Sequence, residues 1–124
     1  MTLSQLQKIL DADVLCGNEL LHRDVSHWFA CDLISEMLLY VTPNTLVITS
    51  LTNIHVVHTA QVMDAVGVVF VGGKKPDTLS IVNSGMNDIP LLTTKHLIFE
   101  CCGRLYIDSQ KGDSKTMDSS DASG

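Results

Sequence analysis

Thr45-Leu46-Val47-Ile48-Thr49-Ser50-Leu51-Thr52-Asn53 and Gly67-Val68-Val69-Phe70-Val71-Gly72-Gly73 decide how this chain folds. Each opens with a near-continuous apolar run, the pattern of a strand buried on both faces, and each leaves that run into small polar residues. Between them Asn53 is placed to cap a helix read from Ile54 to Asp64. Strand, helix and strand at this spacing make a βαβ unit and hence a parallel pair. Toward the C-terminus, Pro76 suits a helix start and opens a segment read to about Met86. Ile89-Pro90-Leu91-Leu92-Thr93 reads as a third, shorter strand, and a last helix runs from about Lys95 to Tyr106. Toward the N-terminus, Leu3, Leu6, Ile9 and Leu10 recur at helical spacing behind a Thr2/Gln5 capping box. Asp11-Ala12 ends that helix, and Val14-Leu15-Cys16 is a short strand closed by Gly17-Asn18. Leu20 to Cys31 is less regular. Asp32 reads as the N-cap of a helix from Leu33 to about Tyr40. The expectation is an α/β domain with a mostly parallel sheet.

Of the 124 residues 45% are hydrophobic, and mean hydropathy is +0.22 despite a polar end. The domain is expected to span residues 1–106. Residues 107–124 are mostly Ser, Asp, Lys and Gly with little to bury, which reads as a disordered polar tail. Apolar surface in excess of what so small a core holds points to a homodimer. The net charge is −6, about −4 of it outside the tail. With no Lys/Arg stripe to neutralise phosphates, nucleic acid is not an expected partner. No apolar run reaches the ~20 residues of a membrane span. The N-terminus has no signal-peptide pattern, and four cysteines without framework spacing fit a cytoplasmic protein.

Candidate chemistry lies in three loops at the carboxyl ends of the strands, where open parallel sheets bind ligands. These are Ser50-Leu51-Thr52-Asn53, Gly72-Gly73-Lys74-Lys75-Pro76 and Thr93-Thr94-Lys95-His96. Each runs into a helix start, whose free N–H groups and dipole favour an anion. Ser50, Thr52, Asn53, Gly72, Gly73, Lys74, Thr93, Thr94 and Lys95 are therefore the candidate ligand-binding residues. The same residue types also serve ordinary caps and turns. Gly72-Gly73-Lys74-Lys75 lacks phosphate-loop spacing, and no dinucleotide fingerprint follows a strand.

Among the five histidines, His55 and His58 share a predicted helical face, and His27 and Cys31 are four apart. Further ligands would have to come from His22, Cys16 or His96. No established zinc spacing is present, so surface or packing histidines are the better reading and no metal is expected. Cys101 and Cys102 point about 100° apart on one helix and read as core. Adjacency of Ser26 and His27 does not make a nucleophile–base pair. Asp11, Asp13, Asp24 and Asp32 sit where caps and turns use them.

Taken in order, Leu20-Leu21-His22-Arg23-Asp24-Val25-Ser26, Asp32-Leu33-Ile34-Ser35, the two buried runs, Asp88-Ile89-Pro90-Leu91-Leu92-Thr93 and Gly103-Arg104-Leu105-Tyr106 resemble the DRTGG domain family over nearly all of residues 1–106. The resemblance implies a three-layer α/β/α domain similar to the HPr kinase/phosphorylase N-terminal domain. In that family the domain occurs alone or attached to phosphotransacetylases and CBS-containing pyrophosphatases, with a role taken as regulatory. Where the family has Thr-Gly-Gly and often Tyr, this chain has Ser26-His27-Trp28-Phe29. Either a glycine loop is filled here, or His27 and Trp28 themselves line a pocket or a dimer face. The second is favoured because Trp is an anchor residue at interfaces, and Ser26 and His27 join the candidate ligand-binding set.

The leading expectation is a non-catalytic regulatory or sensing domain that binds an anionic metabolite or nucleotide and needs no cofactor. A protein-interaction module that dimerises or docks a partner enzyme is the alternative. A metal-dependent enzyme using His22, His27, His55 and His58 is a third reading.

Overall fold

A computed structural model describes residues 1–77, 79, 81–82 and 88–121. Helix α1 (Leu3–Leu10) leads into strand β1 (Asp13–Cys16), and a 3-10 turn (Asn18–Leu20) follows. Next come β2 (His27–Ala30), α2 (Ile34–Tyr40), β3 (Thr45–Thr49), α3 (Ile54–Val62), β4 (Gly67–Phe70) and β5 (Leu91–Thr93). The last helix, α4, is Ile98–Asp121. The five strands form one sheet in the order β1-β5-β4-β3-β2. Strands β2 to β5 are parallel, and β1 lies antiparallel on β5 with a register shift between Val14 and Cys16. This is the α/β fold read from the two apolar runs.

Alternation along the strands sorts the core into two layers. On one face, Leu46 and Ile48 of β3, Val69 of β4 and Leu92 of β5 pack with Leu3, Leu6 and Leu10 of α1 and Cys101 and Leu105 of α4. On the other, Val47, Val68, Phe70 and Leu91 pack with Met37 of α2 and Val56, Val57 and Ala60 of α3. Right-handed crossovers between neighbouring parallel strands explain why α2 and α3 share a face. Arg104 ties the other helix pair together: its Nη1 donates to the Ile9 carbonyl at 3.2 Å and its Nε to Glu100 at 2.9 Å.

The caps behave as read. Thr2 and Gln5 form the reciprocal capping box, Asp11 closes α1 in the left-handed region, and Asn53 accepts from the Val56 N–H. Three elements differ from the sequence reading. The stretch read as irregular contains β2, an edge strand with too little burial to show periodicity. The helix expected to close near Tyr106 continues in α4, because its intrahelical bonds do not need the apolar stripe that ends at Leu105. Asp32 is not a helix cap: Leu33 precedes α2 without a side-chain cap, and the carboxylate is used elsewhere. The helix read from Pro76 to Met86 falls mostly outside the described residues.

The turn after β1 is held by close approach. Gly17 has φ +85°, and a Cβ there would lie 2.7 Å from the Pro90 Cα. Gly17→Ala therefore combines a left-handed backbone with overpacking, about 2–4 kcal/mol together. Thermal denaturation of that variant is expected to show a midpoint lower by roughly 10 °C or more.

Candidate functional site

The carboxyl ends of the parallel strands bring the three predicted loops to one edge, and hydrogen bonds tie the second and third together. Gly72 N–H donates to the His96 carbonyl at 2.8 Å, and Gly73 N–H to the Thr94 carbonyl at 2.7 Å. Thr93 Oγ1 donates to the Lys74 carbonyl at 2.6 Å, and Thr94 Oγ1 to the Leu10 carbonyl at 2.7 Å in the core. Asn53 spends its side chain on the α3 cap, with Thr52 half-buried beside it.

At the end of β3 a carboxylate already stands on the backbone. The Cys31 N–H donates to the Ile48 carbonyl, extending the β2 pairing and setting Asp32 beside Ser50. Its Oδ1 accepts from the Ser50 N–H at 2.9 Å and from Thr49 Oγ1 at 3.2 Å. The Ser50 N–H is the largest influence holding this carboxyl below its ordinary value of 3.8. Partial burial opposes it, while the Ser50 and Thr49 hydroxyls and the positive charge of Lys74 assist.

Beside these loops is a cleft of about 350 Å³, lined by Asp11, Asp13, Gly73, Lys75, Thr93, Thr94 and Lys95. It collects five residues of the predicted loops, Lys75 among them, and adds two carboxylates that the sequence assigned no such role. Asp13 reaches it because antiparallel β1 starts where β5 ends, with Asp13 opposite Thr93. Asp11, at φ 49°, turns the chain out of α1 at the same rim. Only the antiparallel direction of β1 could have revealed the two carboxylates, and four residues of strand carry no mark of direction. The cleft thus offers two ammonium groups and two carboxylates.

Ser26 and His27 lie at the opposite, amino edge, where both N–H groups reach the Asn44 carbonyl, so they do not join the other nine. A second cleft of about 280 Å³ lies at that edge, lined by residues including Arg23, Asn44, Gln61, Asp64 and Asp88. Arg23 there donates to the Asp88 carbonyl at 3.0 Å. His22, His27, His55 and His58 are exposed, and among the described residues no three His, Cys, Asp or Glu side chains are grouped to hold a metal. Cys101 is pushed up to about 11, first by burial and then by its neighbour Cys102. Burial also raises Cys31 and Cys102, which keeps these thiols protonated and poor nucleophiles at neutral pH.

No protein-family model matches the sequence, and no curated protein matches it. Solved structures do match. One is the regulatory region of Clostridium perfringens pyrophosphatase, comprising CBS and DRTGG domains and complexed with its activator diadenosine tetraphosphate. The TM-score is 0.70 at 15% identity, over 82% of this chain and 44% of that one. The chain thus has a DRTGG-like fold and spans under half the length of that structure.

Asp32→Ala is expected to destabilise the fold by about 1 kcal/mol at neutral pH through loss of the Ser50 and Thr49 bonds. Because the folded pKa lies below the unfolded one, this stability is fully present above the unfolded value and is lost as pH falls through the folded one. Denaturant unfolding at falling pH is expected to narrow the difference between the Asp32 protein and the variant below the ordinary carboxyl value.

Proposed function

We propose that residues 1–106 form a non-catalytic regulatory domain that senses a nucleotide in the carboxyl-edge cleft, with residues 107–124 as a polar extension. The observation that carries this reading is the charge pattern of the cleft. Lys75 and Lys95 offer cations to phosphate, and Asp11 and Asp13 offer acceptors to ribose hydroxyls. A bare anion satisfies only the first pair and is repelled by the second. The regulatory region of the pyrophosphatase, which shares the fold and is complexed with a nucleotide activator, supports the class of ligand. The four free cysteines suit a reducing cytoplasm.

Titration calorimetry with AMP, ADP, ATP and inorganic phosphate tests the reading. A ribonucleotide is expected to bind, its 2′-deoxy analogue more weakly, and phosphate not at all. Lys95→Ala is expected to weaken the nucleotide about tenfold, the loss of one charge-assisted contact. At 100 times its dissociation constant the nucleotide adds about 2.7 kcal/mol of stability, visible as a higher melting midpoint. Flat titrations with all three nucleotides end the proposal.

A specific observation favours a second reading, a homodimerisation or partner-docking surface. β2 is an edge strand, and the adjoining α2 and the residue before it expose Leu33, Leu38, Leu39 (74%) and Tyr40 (61%). The Tyr40 ring packs against Phe29 of β2 at a tilt of 38° with centroids 5.4 Å apart, joining strand and helix in one apolar surface. Open edges and contiguous apolar patches are where copies and partners pair. Sedimentation velocity is expected to show a dimer at micromolar concentration that Leu39→Glu converts to monomer. A parent chain already monomeric there rules the homodimer out.

A further inference from the structure

Asn44, Asp64 and Asp88 stand shortly before β3, β4 and β5, so the parallel sheet gathers them at its amino edge. All three have left-handed backbones, with φ of 68°, 58° and 56°. Together with Arg23 and Gln61 they line the cleft of about 280 Å³ there, which the buried Ala65, Val66 and Ile89 complete. The backbone around it is fixed. The Arg23 N–H donates to the Leu20 carbonyl at 3.1 Å, and its carbonyl accepts from the Leu3 N–H at 3.0 Å. The Asn44 N–H donates to the Asp64 carbonyl at 3.2 Å. Arg23 commits only Nη1, to the Asp88 carbonyl, so its Nε–Nη2 edge has no partner among the described residues. Nor does an ion pair join Arg23 to Asp64 or Asp88. One guanidinium and two carboxylates thus line a single space without neutralising one another. The C-terminus of α3 lies beside Asp64 and adds its negative pole.

We propose that this amino-edge cleft is a second binding site, separate from the carboxyl-edge cleft, for a free α-amino acid with an uncharged side chain. The planar Nε–Nη2 edge of Arg23 matches a carboxylate, which accepts two parallel N–H bonds. Asp64, Asp88 and the pole of α3 suit the ammonium group. A lone anion, phosphate included, meets two carboxylates against one cation. A lone cation leaves the guanidinium without a counter-charge. Only a ligand of both signs answers the whole lining. The size agrees: the cleft has roughly twice the ~150 Å³ that holds benzene, room for one amino acid. Ala65, Val66 and Ile89 offer its side chain apolar contact, and Asn44 and Gln61 offer amides.

The Arg23 Nε–H and the Gln61 side-chain amide are resonances that report the cleft in the ¹⁵N-labelled full chain. Millimolar L-alanine, L-valine and L-glutamine are titrated in turn, and at least one is expected to shift both to saturation. Propionate and isopropylamine, which carry one charge each, are expected to leave them in place at the same concentration. Asp64→Asn keeps a residue that tolerates the left-handed backbone and removes one charge. It is expected to weaken the amino acid about tenfold while keeping the melting midpoint. Should that variant not fold, Arg23→Lys keeps the charge, loses the fork and carries the same expectation. Resonances unmoved by all three amino acids overturn the proposal. So does an equal shift with propionate or isopropylamine, since the cleft then holds a single ion. Unchanged affinity in the folded variant overturns it too, as do shifts confined to Lys75 and Lys95 at the opposite edge.

Discussion

Every side chain of β3 and β4 is withdrawn from water, and strands so placed need a helical layer above and below them. That requirement sets the positions of everything else. Leu46, Ile48 and Val69 draw α1 and α4 to one face, while Val47, Val68 and Phe70 draw α2 and α3 to the other. The backbone groups of the central strands are paired on both sides, so variety is confined to the strand ends and the two edges. The candidate surfaces lie there: the carboxyl-edge cleft, the apolar face of β2 and α2, and the amino-edge cleft.

Signals that act locally were legible in the sequence. The Thr2/Gln5 box, the Asn53 cap and the two doubly buried runs each depend on residues within a few positions, and each stands where the pattern put it. Features that depend on distant pairing were not. His27–Ala30 is half-exposed and short, so neither alternation nor a continuous apolar run marks it as a strand. Asp32 has the right residue type for a cap, yet its partners are eighteen positions away. The carboxyl-edge loops could be named in advance, because parallel sheets place ligands there. Asp11 and Asp13 could not, because only the antiparallel seating of β1 brings them to the same rim.

The edge itself differs from a simple anion cradle in how its donors are used. Gly72, Gly73 and Ser50 have committed their N–H groups to carbonyls or to Asp32. These loop amides therefore contribute less to the edge than side chains do. Gly73 has φ +72° with open space where a Cβ would stand, so its role there is conformational. Recognition by ammonium and carboxylate groups is more selective than recognition by amides, since each sign excludes ligands of its own kind.

The two edges of the sheet are unlike. β1 is broken by a register shift between Val14 and Cys16, whereas β2 pairs with β3 in unbroken register. Irregular edges resist strand addition and regular ones invite it. A chain with only one inviting edge can join a copy of itself by presenting that edge to its twin, and the pair then has none left. Such a sheet carries its own chain terminator: self-pairing closes at two copies and cannot grow into a fibre.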